Sequence, residues 1–285
     1  MLRSLRPAAL AFLLLLTALP AAAWPARVLL TNDDGVDDPR LAVLARAFAE
    51  VAEVVVVAPL ANCSGSTNYV SAFQRHEVTA EARDLGAGIE AWGVDGFPGD
   101  CVLLALTGIL AERPPDLVVS GVNSGPNLAD AYLASGTIGA ARLAAQAGVP
   151  AVALSNLKAD DPTMMAAVPA WCVRLVRSDA VRGLAAGGYL TVNFPDGPAG
   201  AVKGVRWAAP GREVFHDAFV LAGRDENGRH VWTHRWWFDD GGEQPPDGDV
   251  ALQREGWIVV TPMRLGDLDA AGLAAAAALP SWDTP

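Results

Sequence analysis

An apolar run, RVLL, leads through Thr31 and Asn32 into two adjacent carboxylates, Asp33 and Asp34, followed by Gly35. Neighbouring like charges repel, and neither belongs at the end of a buried strand unless something positive offsets it. On its own the triplet reads as a turn, because Asp and Gly dominate turns. Two further polar segments change that balance. LANCSGSTN carries Ser64, Ser66 and Asn68, and GVNSGPNLAD carries Asn123, Asn127 and Asp130. Two carboxylates, a hydroxyl and amide oxygens form an all-oxygen set. Such a set suits a hard divalent cation, Mg²⁺ or Mn²⁺, rather than Zn²⁺. Ser135, Gly136 and Thr137 open a helix whose N-terminus favours a phosphate. Glycines in the same loops let backbone N–H groups approach an anion. A cation beside a phosphate cradle points to phosphoryl chemistry.

The elements around these residues must bring them together. ARVLLTN and EVVVVAP read as buried parallel strands, each a short continuous apolar run. Between them Leu41, Leu44, Phe48 and Val51 fall on one helical stripe. That β–α–β unit predicts a parallel, doubly wound sheet. PDLVVSG, VPAVALS and GYLTVNFP continue the strands, and EVTAEA and GIEAWGV are shorter ones. Helices are expected over GDCVLLALTGILAE, over SGTIGAARLAAQAG with Ser135 as N-cap and Gly148 as stop, and around Met164 to Leu184. From about residue 196 to 249 the chain turns to Gly, Pro, Asp and aromatic strands such as RHVWTHRWWF, which predict a projecting hairpin arm. GWIVVTPM returns to the core, and LDAAGLAAAAAL predicts a closing helix. The three polar segments follow the carboxyl ends of core strands, where open α/β sheets bind ligands.

The first 23 residues have the form of a secretory signal peptide. Arg3 and Arg6 precede a short apolar run, and small residues at Ala21 and Ala23 suggest cleavage after Ala23. The run is too short to span a bilayer comfortably. Residues 24–285 would then form one α/β domain, exported to a periplasm or secreted, with no membrane attachment after cleavage. The whole chain carries 32 acidic against 21 basic residues, a net charge of −11. An acidic surface of this kind argues against nucleic-acid binding. Three cysteines leave at least one thiol free or paired outside the chain. Cys101 reads as a small buried hydrophobe. The nine tryptophans, Trp236 and Trp237 among them, read as core or arm packing rather than base-stacking platforms. His216, His230 and His234 read as surface or arm residues with no ligand spacing to the acidic pair.

Taken together, LLTNDDGV, APLANCSGST, GFPGDCV, VSGVNSGPNLAD, SGTIGAA, NFP and REGWIVVTP resemble the SurE-type nucleotidases. The resemblance covers nearly all of residues 24–285 in the family's order. It implies a Rossmann-like three-layer core with a mainly parallel sheet and a C-terminal β-hairpin arm. It also implies a homodimer or higher homo-oligomer. The implied activity is hydrolysis of nucleoside 5′- and 3′-monophosphates by metal-activated water, with one Mg²⁺ or Mn²⁺ per subunit. Carried over by position, Asp33, Asp34, Ser64 and Asn123 match the metal ligands, and Asp33, Asp34 and Asn127 the catalytic set. Ser135, Gly136 and Thr137 match the phosphate side. Leu60, Ala61 and Cys63 stand where the family usually has charge, and Ala134 where it often has tyrosine. These departures bear on substrate preference more than on metal binding.

Other functions remain as alternatives. A nucleotide-dependent oxidoreductase would need G-x-G-x-x-G after the first strand, and TNDDGVDD lacks it. A non-catalytic extracytoplasmic nucleotide- or anion-binding protein would account for the leader and the acidity, though not for the oxygen cluster. A phosphatase acting mainly on non-nucleotide esters or short polyphosphate uses the same site.

Overall fold

Val54 to Ala58 are at most 1% exposed, which only a strand covered on both faces allows. That strand is central to the computed structural model, which describes residues 24–212, 215–239 and 242–265. Its strands are β1 Arg27–Thr31, β2 Glu53–Pro59, β3 Ala80–Ala82, β4 Ile89–Val94, β5 Leu117–Asn123 and β6 Ala151–Ser155. They continue with β7 Gly188–Asn193, β8 Val205–Trp207, β9 Phe215–Arg224, β10 His230–Phe238 and β11 Ile258–Arg264. The α-helices are α1 Pro39–Ala49, α2 Ala72–Arg75, α3 Pro98–Leu104, α4 Gly136–Gln146, α5 Pro162–Val176, α6 Asp179–Arg182 and α7 Asp249–Arg254.

Nine strands form one sheet in the order β3-β4-β2-β1-β5-β6-β7-β11-β8. The run β4-β2-β1-β5-β6-β7 is parallel throughout, and β3 and β11 each pair antiparallel with a neighbour. α1 and α5 cover one face, with Leu41, Leu44, Phe48, Val168 and Cys172 in its core. α3 and α4 cover the other, with Cys101, Val102, Ile138, Ala141 and Ala144. The result is the three-layer α/β fold expected. α1 forms because Asp38 caps it, accepting from Arg40 N, and Pro39 occupies its first turn. Its buried stripe runs through Leu41, Leu44 and Phe48, while Val51 falls beyond its end.

Three segments differ from expectation in detail. The helix over GDCVLLALTGILAE ends as α at Leu104 and continues as a π-turn, Ala105–Ile109. Within 196–249 the projecting part is narrower than predicted. β9 and β10 form a separate two-stranded antiparallel hairpin, but β8 hydrogen-bonds to β11 at the edge of the main sheet. The helix expected over Met164 to Leu184 is split into α5 and α6. Cys63, Cys101 and Cys172 are all free, and the last two are buried. The closing helix and the leader lie outside the described residues. No helix among the described residues is long and apolar enough to cross a membrane.

Candidate active site

The turn after β1 is built by Asn32. Its side-chain amide donates to Gly35 O at 2.8 Å and its Oδ1 accepts from Gly35 N at 3.2 Å. This is the Asn-centred turn that frees the next carboxylates from the strand ladder. Gly35 completes it at φ +116°, where a side chain is strained. The loop after β2 is tied to this turn through Cys63 N, which donates to Asp33 O at 2.7 Å. The same loop is tied to the entrance of α4 through Thr67 N, which donates to Ala134 O at 3.2 Å. The loop after β5 is fixed from β7, where Asn193 Oδ1 accepts from Asn127 N at 2.7 Å and Asn193 Nδ2 donates to Asn127 O at 3.1 Å. The three polar segments therefore meet at the carboxyl edge of the sheet.

Asp33 is 3% exposed and lies against the N-terminus of α4. Thr137 donates both its hydroxyl, at 2.5 Å to Oδ1, and its backbone N–H to this carboxylate. Gly136 makes the approach possible, because a Cβ there would lie 2.6 Å from Ser66 Oγ and 2.9 Å from Asp33 Cβ. Burial nonetheless raises the Asp33 pKa above the ordinary carboxylate value, with Thr137 and Arg40 opposing the shift. Asp34 is pushed up to about 6, first by burial and then by the charges of Asp33 and Asp38, against the pull of Arg40. Arg40 Nη2 lies 3.0 Å from Asp34 Oδ1, and Asp34 Oδ2 is buried with no hydrogen-bond partner. Two adjacent buried carboxylates, one of them with an unpartnered oxygen, fit a divalent cation better than they fit a dry core.

Asp33, Ser64, Asn123, Asn127 and Ser135 line one cavity of about 440 Å³. Asn123 Nδ2 donates to Gly125 O, so its Oδ1 is the atom left for a ligand. Asn127 Nδ2 donates to Ser155 Oγ at 2.8 Å, which orients the Asn127 amide at the cavity. Thr137 is fully buried, and its hydroxyl faces Asp33 rather than the cavity. Asp34 is not among the residues that line the cavity; its Oδ1 faces Arg40 Nη2 at 3.0 Å and Asn62 Nδ2 at 3.5 Å, which leaves Oδ2 for a ligand. Among the described residues no group of three or more His, Cys, Asp or Glu could hold a metal ion.

Several participants are not among the residues singled out from sequence. Arg40 lies in an ordinary helical stripe, and only its 6% exposure shows that its charge points inward. Asn193, the first residue of NFP, and Ser155, at the end of β6, hold Asn127, a role that neither residue shows in sequence. Trp236 packs within the arm against Phe215 and Phe238, as expected, but does more than pack. It is 61% exposed and lines the cavity with Phe215, His234 and Phe238. His234 is an arm residue as expected, yet it shares the cavity of Asp33.

The family model described as Survival protein SurE matches residues 28–217. The 5′-nucleotidase SurE of Desulfatibacillum aliphaticivorans is 38% identical over 241 residues, covering 83% of this chain and 91% of that protein. The 5′/3′-nucleotidase SurE of Serratia proteamaculans is 34% identical over 262 residues, covering 90% and 96%. The crystal structure of Sure protein from Aquifex aeolicus superposes with a TM-score of 0.70 at 28% identity, covering 87% of this chain and 97% of that one. With the family model spanning most of the chain and its relatives matched nearly end to end, the chain belongs to the SurE family.

Proposed function

We propose that this chain is a metal-dependent phosphatase that hydrolyses nucleoside 5′- and 3′-monophosphates to nucleoside and phosphate. Relatives named 5′-nucleotidase and 5′/3′-nucleotidase, matched over most of their length, support the activity. The observation that carries it in this chain is the adjacent Asp33 and Asp34 carboxylates at the sheet's carboxyl edge, both buried at the side chain, with Asp34 Oδ2 unpartnered. Asp33, Asp34, Ser64 and Asn123 would hold the cation, and Mg²⁺ or Mn²⁺ suits their oxygens. When bound, the ion offsets the paired charges and acts as a Lewis acid toward a phosphoryl oxygen.

The chain's own residues supply the rest. Thr137 holds Asp33 in place through two hydrogen bonds. Asn127, held by Asn193 and Ser155, presents its amide to the phosphoryl group. Ser135 caps α4 by accepting from Ile138 N at 3.1 Å, which aims the helix N-terminus, with Gly136, toward the same region.

Hydrolysis of AMP, 3′-AMP, a non-nucleotide ester and short polyphosphate after chelation, with Mg²⁺ or Mn²⁺ titrated back, tests this reading. Metal-restored cleavage of nucleotides is the expected result. Faster cleavage of polyphosphate or a simple ester would reassign the substrate. Nucleotide binding without cleavage by any metal would leave a binding protein.

We also propose export, with maturation at Trp24, whose ring packs under Arg182 at 5.5 Å. The mature N-terminus should fall at or near Trp24, and a secreted protein retaining Arg3 refutes cleavage. The hairpin exposes Val220, Leu221, Val231, Trp232 and Trp237, surface suited to a second copy of this chain. A dimer or larger homo-oligomer by light scattering is the expected result.

A further inference from the structure

The cavity has two chemically different ends. One carries Asp33, Ser64, Asn123 and Asn127. The other is a wall of aromatic rings contributed by the hairpin. Strand alternation explains the wall, because His234, Trp236 and Phe238 point to one face of β10. In the antiparallel register Phe238 pairs with Phe215, and Phe215 N donates to Asp130 Oδ1 at 3.4 Å. The hairpin root is therefore fastened to the loop that carries Asn127. Asp249 fastens the flanking chain as well, accepting from Ala129 N at 3.0 Å and Gly211 N at 2.7 Å. Phe215, Trp236 and Phe238 form a mutual cluster, with ring centroids 5.5 to 6.5 Å apart. Unlike core aromatics, Trp236 and Phe238 remain 61% and 45% exposed. Two large rings left open to solvent beside a polar site have unused faces.

We propose that Phe215, Trp236 and Phe238 form the nucleobase subsite, a stacking platform that makes this chain a nucleotidase rather than a general phosphatase. The inference rests on the phosphatase reading above. A nucleoside monophosphate has the same polarity as the cavity, with a dianion at one end and a flat aromatic ring at the other. A cavity of about 440 Å³ lies within the range of small-molecule sites, about 300–1,000 Å³. Of the four hairpin residues that line it, two are phenylalanines with no polar atom, and only the His234 imidazole and the single Trp236 indole N–H can hydrogen-bond, too few groups to read a base edge fully. Recognition is therefore by π-face, which every base offers, and the chain should accept purines and pyrimidines with modest differences.

The test compares AMP with ribose 5-phosphate, which differ only in the base, for wild type, Trp236→Ala, Phe238→Ala and Trp236→Phe with saturating Mn²⁺. Wild type should favour AMP in kcat/KM. The alanine changes should shrink that AMP-to-ribose-5-phosphate ratio by roughly 5- to 150-fold, mainly through KM, the range expected for loss of one base-stacking contact. Trp236→Phe should retain most of the ratio. A wild-type ratio near one, or a ratio untouched by both alanine changes, overturns the platform while leaving the phosphatase reading standing. Equal losses on both substrates assign these rings to hairpin packing or to contact with a second copy, and also overturn it. A wild type that cleaves neither compound with any metal sinks the phosphatase reading itself, and the platform with it.

Discussion

Arg40 Nη2 sits 3.0 Å from Asp34 Oδ1 and 2.5 Å from Asp38 Oδ2, so one guanidinium answers two carboxylates of the loop that ends β1. Asp38 is also the N-cap of α1, and Arg40 is that helix's second residue. The opening of the helix and the acidic pair are thus held by one charge. In metal-free protein this guanidinium is the positive group nearest to the buried carboxylates. Arg40→Met should cost about 3 kcal/mol of unfolding free energy in chelator, the low end for breaking a buried ion pair, because Asp38 is partly solvated. Excess Mn²⁺ should recover more stability in the variant than in wild type, as the added charge replaces the lost one. Thermal melts with and without metal read both quantities, and an equal metal-induced shift in the two proteins refutes the relation.

The same pair sets a pH dependence. Asp34 titrates at about 6 in the folded chain against 3.8 ordinarily, burial being the largest cause. Between those values the folded state holds more protons than the unfolded state, so stability falls as pH rises through about 4 to 6. Asp33 and Asp249, also raised by burial, act in the same sense, while Asp161 and Asp225, held low by hydrogen bonds, act in the opposite one. The informative quantity is a difference. Chelated Asp34→Asn should gain on chelated wild type as pH rises from 4 to 7, and a flat difference in melting temperature shows that Asp34 is not strained.

The parallel strands, the α1 stripe and the three polar loops were legible in sequence because each depends on local pattern. β2 is a continuous apolar run, Ser135 is a recognisable cap, and Asp33 and Asp34 stand out as charge at a strand end. What was hidden depends on tertiary direction. The residue before Leu41 looks like a solvated helix position until α1 packs and turns Arg40 inward. Trp236 and Trp237 are adjacent and equally apolar, yet alternation sends Trp236 to the cavity and Trp237 onto His216, 5.5 Å away. Nothing local marks which face of the hairpin meets the site. β8 is three residues long and leans on β11 for its identity, so composition alone assigned it to the arm.

Thr137 offers a third test. Its hydroxyl donates to Asp33 Oδ1 at 2.5 Å, and no cavity surface belongs to it. It is a positioning residue for a carboxylate. Thr137→Val keeps the shape and removes the donor, and should weaken Mn²⁺ binding by roughly 10- to 100-fold, as loss of a group that orients a metal ligand does. Thr137→Ser should restore most of it. Metal titration by calorimetry reads this independently of turnover. Unchanged affinity in Thr137→Val, with reduced activity, would place Thr137 on the phosphate side instead.

The acidic pair itself carries the last prediction. Asp33→Asn and Asp34→Asn should each lower activity by orders of magnitude at limiting metal while the fold persists, since each removes one of two mutually repelling charges. Asp33 is a poor candidate for a covalent nucleophile. Its Oδ1 already accepts from the Thr137 hydroxyl, and its 3% exposure leaves little room for in-line approach. Water should attack phosphorus instead. The new P–O bond comes from water, the ester P–O bond breaks, and the departing alkoxide takes up a proton. One displacement inverts configuration at phosphorus, and two, through an aspartyl phosphate, retain it. Hydrolysis of a chiral, isotopically labelled nucleoside phosphate should therefore give inversion. Net retention, or an acyl phosphate on Asp33 trapped with hydroxylamine, would make Asp33 the nucleophile, with Thr137 stabilising it rather than merely holding it.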